Sequence, residues 1–482
     1  MLQGGGVMNN LIGREKEIRR LNRALEEREA QLIIVYGRRR VGKTFLINEY
    51  FGGDFSFKFT GAFGESKKVQ LKNFVLELNR QAMTKYDVPQ DWSDAFALLR
   101  DYLESKDKEK KQVVFFDEMP WMDRQKSGFL PAFEWFWNSW GSSRENLVFI
   151  VCGSATSWMI DKLDNNKGGL FNRQTCRLYL EPFNLHDTEL YLKSRDIYWS
   201  RYDITVCYMI MGGIPYYLKL LDRSLSLNEN IDALFFEKRS ELWDEFEHLY
   251  NTLFSNSDNY IRIVEALSKK RSGLTRNEVS KASGVAANGV LSKMLTDLIN
   301  SGFVRINDIF GRKKRDITYQ LSDYYSLFYF RFIKDNYGKD EHLWSNSNDN
   351  PARRSWEGLT FEQICKDHIQ QIKNKIGIAG VMTEISSWSK QKNDEEDGVQ
   401  IDLLIDRRDR VINLCEIKFS GAQFEIKKEY DIKLKNKVEV FRETTKTNKT
   451  IQMTMITTYG IKKNMYSNYV GKEITLDDLF TE

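Results

Sequence analysis

An α/β fold organised around a parallel sheet is what the sequence predicts, on three observations. Residues 31–36 (QLIIVY), 112–116 (QVVFF) and 147–152 (LVFIVC) are short apolar, β-branched runs, the pattern of parallel strands buried on both faces. The first runs directly into a glycine-bracketed loop and then a helical pattern. The second ends in adjacent carboxylates and the third in small polar residues, all at the strand ends where open α/β sheets bind ligands.

The chain has 482 residues, enough for two to four domains. Hydrophobic residues make up 41% and charged residues 29%, which supplies ample material for buried cores. Only six prolines and no low-complexity tract argue against long disordered linkers. The net charge of +4 excludes a generally basic protein but not local basic patches. Five scattered cysteines, never spaced Cys-x-x-Cys, suit a reducing compartment and argue against a disulfide framework or structural zinc site. None of the four histidines stands in a His-Glu-x-x-His arrangement, which argues against a zinc hydrolase. No apolar run approaches the roughly eighteen residues that span a bilayer. The first ten residues, MLQGGGVMNN, lack the basic-then-apolar order of a signal peptide. Their glycines read as a tag remnant or an upstream start, with Met8 as the natural beginning. The expectation is a cytoplasmic chain with no membrane partner.

After the first strand comes Gly37-Arg38-Arg39-Arg40-Val41-Gly42-Lys43-Thr44, then a helical pattern from Phe45 to Tyr50. This is G-x-x-x-x-G-K-[ST] in the strand–loop–helix setting that a phosphate loop requires. Its glycines let backbone N–H groups curl toward a phosphate at the positive end of a helix. Lys43 is expected to reach the β- and γ-phosphates of ATP, and Thr44 to place its hydroxyl on Mg²⁺. Gly37 to Thr44, with Phe45, make up the expected nucleotide-contacting stretch. The run Arg38-Arg39-Arg40 inside it suits a phosphate, a partner or an acidic neighbour, and the sequence does not choose. A phosphate-loop site needs a second acidic strand, and Asp117-Glu118 closes the run 112–116. Asp117 is expected to hold Mg²⁺ and Glu118 to orient or deprotonate the attacking water. Ser154, after the third strand, is expected either to sense the γ-phosphate or to cap a helix.

Several segments join the loop in one pattern: 12–15 (IGRE), 37–44, Asp117-Glu118, 152–154 (CGS) and 212–218 (GGIPYYL). Over nearly its whole length the chain resembles the archaeal-type AAA-like ATPases of the STAND group. In these an ATPase module is fused to a winged helix and a C-terminal nuclease-like domain. The resemblance implies that Gly13 and Arg14 lie beside the adenine, and that the turn carrying Pro215 closes over the nucleotide in place of an arginine sensor. It also implies that Arg173 acts on the γ-phosphate, in cis or toward a neighbouring subunit of a homo-oligomer. A surface arginine is the other reading of Arg173.

Residues 184–250 alternate apolar and charged positions at helical spacing, as a lid subdomain would. Helical patterns at 260–267, 275–283 and 288–301 follow, then strand patterns at 303–306 and 317–321 around Gly311-Arg312-Lys313-Lys314-Arg315. Helix–turn–helix plus a basic-tipped hairpin describes a winged helix able to meet DNA. Its third helix carries only Lys293 and Asp297 as charges, so a module that packs against other domains is an equal reading.

The last domain opens with a helix, 355–364, presenting Glu362. A hairpin of 398–406 and 411–418 follows, with alternation placing Glu416 and Lys418 on one face. It can bring Asp402 beside Glu416, so that two carboxylates hold Mg²⁺ while Lys418 positions water or stabilises charge at phosphorus. Glu362, Asp402, Glu416 and Lys418 resemble the four functional positions of a PD-(D/E)xK nuclease core, with Ile401 standing where that core often has proline. Lys427, Lys428, Lys433, Lys435 and Lys437 either flank a nucleic-acid path or form a solvated face. The aromatic run 133–137 (FEWFW) is expected to pack the core.

The expected architecture is an α/β P-loop NTPase (AAA-like) core over 1–183, a helical lid over 184–254, a winged helix over 255–335 and a restriction-endonuclease-like α/β domain over 350–482. The expected activity is ATP hydrolysis controlling a Mg²⁺-dependent DNA nuclease-like domain, in keeping with defence against foreign DNA by resemblance alone. The alternative is a nucleotide-controlled DNA-binding switch with a C-terminal domain that does not cleave.

Overall fold

The computed structural model describes residues 11–164, 169–170, 172–311, 317–336, 338–390 and 398–482. Met8 and the four basic residues Arg312 to Arg315 of the expected wing lie outside them. The chain forms two compact units that divide after Pro182.

In the first unit β1 (Gln31–Gly37), β2 (Phe57–Thr60), β3 (Gln112–Asp117), β4 (Leu147–Gly153) and β5 (Cys176–Leu180) form one sheet in the order β2-β3-β4-β1-β5. Every neighbouring pair is parallel. Parallel strands need crossovers, here made by helices such as Lys43–Tyr50, Lys67–Ala82 and Trp92–Glu104. β3 and β4 are buried at every residue, which is why they read as unbroken apolar runs. The register sets Tyr36 opposite Gly153 and Phe116 opposite Val151, so Gly37, Asp117 and Ser154 all emerge at one edge. An aromatic core covers one face of the sheet. Phe116 meets Phe57, Phe59, Phe74, Phe96 and Phe149, and Trp92 closes on Phe129. Phe133, Phe136 and Trp137 join this core. Trp135 does not: it is 54% exposed, because the helix Phe129–Ser139 turns that position away from the face that packs.

The second unit begins with helices that include Leu185–Lys193, Arg201–Met211, Pro215–Lys219, Leu227–Phe235 and Glu245–Leu253. The helices Ser257–Ser268, Arg276–Ser283 and Gly289–Asn300 follow, then an antiparallel pair, β6 (Val304–Asn307) and β7 (Thr318–Leu321). Thr275 and Glu278 close a reciprocal capping box that starts the middle helix, and Gly284 ends it in the left-handed conformation. Asp297 is turned inward: it is buried and accepts a 2.7 Å hydrogen bond from the Tyr260 hydroxyl. Of the two charges counted on the helix Gly289–Asn300, only Lys293 is left on its outer surface.

Lys270 and the capping box hold the Glu278 carboxyl down at about 2, below its ordinary 4.5. A depressed folded-state pKa stabilises above the unfolded value and loses that contribution as pH falls through the folded one. Glu278→Gln is therefore expected to lower the urea midpoint at pH 7, with the gap to wild type closing between about pH 4.5 and pH 2. The gap is small, since the side chain is 45% exposed.

The unit ends in a mixed sheet of β8 (Thr383–Lys390), β9 (Val399–Arg407), β10 (Val411–Lys418), β11 (Thr450–Thr457) and β12 (Lys472–Thr475), ordered β12-β11-β10-β9-β8. β9 pairs antiparallel with both β8 and β10, whereas β11 pairs parallel with both β10 and β12. The helix Lys428–Thr445 crosses from β10 to β11 and covers the sheet through Leu434, Val438 and Phe441. Among the described residues, no helix is long and apolar enough to cross a membrane.

Candidate functional site

The loop between β1 and the helix Lys43–Tyr50 is fixed by its own geometry. Gly37 has φ 143°, and a Cβ there would lie 2.3 Å from the Leu180 carbonyl oxygen, so only glycine lets the loop leave the sheet beside β5. Gly42 has φ 92°, a turn that brings Lys43 to the first position of the helix. The Lys43 ammonium donates to the carbonyls of Gly37 and Arg38, each at 2.9 Å. Burial lowers its pKa, while Glu118 and Asp117 act in the opposite sense. The Thr44 hydroxyl donates to Asp117 Oδ2 at 2.9 Å, joining the loop to the end of β3.

Glu118 follows in the left-handed region at φ 48°, an uncommon conformation for a side chain of this size. Its carboxylate accepts from the Ser154 hydroxyl at 2.6 Å and the Ser154 N–H at 3.1 Å. The Ser154 hydroxyl therefore goes to Glu118 and does not cap the helix that follows. Lys43, Thr44, Asp117, Glu118 and Ser154, drawn from three strand ends, are thereby brought together. Arg14 braces them from outside. It is 6% exposed and donates to the carbonyls of Val41 (2.8 Å) and Glu181 (3.0 Å), while Gly13 turns the chain ahead of it at φ 64°. Val41 and Arg38 are buried, Arg39 and Arg40 half-buried, and Phe45 exposed. Arg173 is exposed and, among the described residues, meets none of Lys43, Thr44, Asp117 and Glu118. Pro215 belongs to the second unit, where it opens the helix Pro215–Lys219.

A hydroxyl and a carboxylate within 3 Å of each other, beside a buried ammonium and the start of a helix, suit a phosphate group and a hard, oxygen-seeking cation. Fold and site together define a P-loop nucleotide-binding ATPase module. Residues 11–221 match the family model described as an ATPase domain predominantly from Archaea, and the chain thus carries an archaeal-type ATPase domain. An uncharacterised protein of Methanocaldococcus jannaschii is 24% identical over 437 residues, which span 89% of this chain and 92% of that protein. A Walker-type ATPase of Pyrococcus abyssi superposes with a TM-score of 0.48 at 17% identity, covering 67% of this chain and 96% of its own. The ORC2 protein of Aeropyrum pernix gives a TM-score of 0.42 at 15% identity, covering 76% and 97%.

The second unit holds another cluster. Cys415 pairs with Leu403 across the antiparallel β9 and β10, and Asp402 and Glu416 are the chain neighbours of that pair. Glu416 is 9% exposed. Burial alone would raise its pKa, but Lys437, Lys418 and Tyr430 outweigh burial and hold it below the ordinary value. The Tyr430 hydroxyl donates to Oε1 at 2.5 Å, Lys437 to Oε2 at 2.6 Å, and Lys418 lies 3.1 Å from Oε1. Asp402 accepts from the Gln400 amide at 2.5 Å. Glu362, on the helix Pro351–Asp367, accepts from Arg271 at 3.1 Å. Burial and then the charge of Asp402 push the Glu362 carboxyl up to about 7, against Arg271, Lys366 and Lys418.

Glu362 thus feels the charges of Asp402 and Lys418, and Lys418 pairs with Glu416. Cations already match the carboxylates, and among the described residues no group of three or more His, Cys, Asp or Glu could hold a metal ion. As arranged, the cluster fits a divalent cation poorly, because both Glu416 oxygens are taken by protein donors. The sequence does not single out Arg271, Lys366 or Tyr430, and it gives Lys437 a different role. Of the five lysines thought to line a path or a wet face, Lys437 turns in to Glu416 and Lys435 pairs with Asp431 at 2.6 Å. The sequence did hold one signal: Tyr430 and Lys437 are seven residues apart, two turns along one helix face.

Proposed function

We propose that this chain binds and hydrolyses ATP with Mg²⁺ at the loop 37–44, and that its nucleotide state governs what the second unit does with DNA. The observation that carries the reading is the joining of Thr44 to Asp117, with Glu118 alongside in a conformation held by Ser154. In this reading Thr44 and Asp117 hold Mg²⁺, Lys43 and the loop N–H groups bind the phosphates, and Glu118 orients the attacking water. Bound Mg²⁺ supplies charge neutralisation on the phosphates. Arg38, Arg39, Arg40 and Arg173 add positive charge, and the turn at Pro215 serves as the lid contact. The helices 257–300 with β6 and β7 act as a winged helix.

The finer part of the proposal is that Glu362, Asp402, Glu416 and Lys418 belong to a DNA nuclease-like site that takes Mg²⁺ only once Glu416 gives up its Tyr430 and Lys437 donors, with defence against foreign DNA as its setting. A second reading, a DNA-binding switch that does not cleave, is favoured by one observation: Tyr430, Lys418 and Lys437 saturate Glu416. One experiment separates the two. Linear, supercoiled and branched DNA are incubated with wild type, Glu416→Ala and Lys43→Ala, with Mg²⁺ and with or without ATP. Cleavage that is lost in Glu416→Ala and altered in Lys43→Ala is expected of an ATP-controlled nuclease. Hydrolysis of ATP with no DNA cut, and DNA retained on a filter by wild type and Glu416→Ala alike, makes the second unit a binding module.

A further inference from the structure

Apart from both clusters, the second unit encloses a cavity of about 690 Å³, within the range that small-molecule sites occupy. One wall is aromatic. Tyr202 stacks on Phe419 with ring centroids 4.8 Å apart and planes 17° from parallel. Another wall is a buried ion pair, Arg353 and Glu357, each 7% exposed and joined at 2.9 Å. Buried pairs of this kind are often no better for stability than apolar residues of the same volume, so their presence in a cavity wall calls for another reason.

The polar groups of that wall are unevenly satisfied. Arg353 Nη1 donates to the Trp344 carbonyl at 2.9 Å and to Asn348 Oδ1 at 2.8 Å. Nη2 reaches Asn228 Oδ1 only at 3.4 Å, and the Asn228 amide reaches Asn348 Oδ1 at 3.3 Å. Bonds of that length are weak and easily exchanged for better ones. Two amides and one edge of a guanidinium thus stand ready to read a ligand that both donates and accepts. The wall carries no excess positive charge: Glu357 matches Arg353, Asp349 pairs with Arg354 at 2.8 Å, and Asp203 adds a carboxylate. That balance disfavours a phosphate and suits an uncharged ligand with hydroxyl groups.

We infer that this cavity is a nucleoside site. The base packs against the aromatic wall of Tyr202 and Phe419, Asn228, Asn348 and Arg353 meet its polar edge, and Asp203 accepts from a sugar hydroxyl. The base belongs to a free nucleoside or to the 3′-terminal nucleotide of a single strand, whose sugar keeps a hydroxyl and whose phosphate stays outside the cavity. Stacking on aromatic side chains tolerates any base, so base identity rests with the amides.

The test is calorimetric titration of the full chain with adenosine, guanosine, cytidine and uridine singly, and with a mixed-sequence DNA hexanucleotide. At least one probe is expected to bind, with affinity reduced about tenfold in Tyr202→Leu and in Asn228→Ala, and retained in Lys43→Ala. Asn348→Ala, at an exposed position, replaces either variant if its melting transition is lost. A nucleoside that binds assigns the site to free ligand, and a response to the hexanucleotide alone assigns it to a strand. No heat with any probe, binding unmoved by the cavity variants, or binding lost in Lys43→Ala overturns the inference.

Discussion

Glu118→Gln is expected to slow ATP hydrolysis by about 10²–10⁴-fold while leaving ATP affinity within a few-fold of wild type. The expectation follows from where the side chain is held. Glu118 stands one residue beyond β3, and its left-handed backbone swings the carboxylate to Ser154. A glutamine keeps the shape and one acceptor but cannot take a proton from water. Thr44, Asp117 and Lys43 are untouched, so binding survives. Phosphate release under saturating ATP gives the rate, and titration with a fluorescent ATP analogue gives the affinity. If the two fall together, Glu118 is holding the ends of β3 and β4 in place and another group prepares the water. Ser154→Ala refines the result, since it frees the carboxylate without neutralising it and is expected to lower the rate less than Glu118→Gln does.

Arg353→Ala is expected to destabilise the second unit by about 3–5 kcal/mol, the largest stability effect foreseen for a single side chain here. The guanidinium lies 3.7 Å from the Trp344 ring centroid, bonds the Trp344 carbonyl, and pairs with a Glu357 that is itself hidden from water. Truncation leaves that carboxylate buried without its partner and opens a void against the indole. The double change Arg353→Met with Glu357→Met is expected to recover most of the loss, because apolar residues of similar volume serve the wall about as well. Urea midpoints followed by circular dichroism check both, and a double variant no better than Arg353→Ala would show that the indole contact matters more than the charge.

The sequence made the loop 37–44 legible because its chemistry is local. A strand, a glycine pair, Lys43 and Thr44 come in immediate succession, and Asp117-Glu118 sits at the end of an apolar run. What joins these pieces is not local. Ser154 reaches Glu118 across 36 residues, and Arg14 reaches Val41 across 27, through register and burial that no spacing rule encodes. β2 was passed over because four residues, Phe57 to Thr60, are too few to show a period. β8, β11 and β12 were passed over because Ser, Thr, Gln and Lys interrupt them at a half-wet sheet. Asp402 lies on β9 and Glu416 with Lys418 on β10, the strands that the apolar alternation of 398–406 and 411–418 marks out. Their environment was not read, since Tyr430 and Lys437 arrive from a helix after the hairpin and Arg271 from a segment 91 residues before Glu362.

The order β2-β3-β4-β1-β5 also governs how the first unit comes into being on the ribosome. β1 is made early, yet both strands that flank it are made late, and β4 begins roughly 110 residues after β1 ends. At about 5–20 residues per second, an apolar ribbon waits roughly 6–22 s with both edges bare. Long-range parallel pairing of this kind is slow to form and open to wrong partners in the interval. A fragment that stops before Cys176 keeps one edge of β1 bare for good, so shielding of the nascent chain matters for this unit until β5 is made.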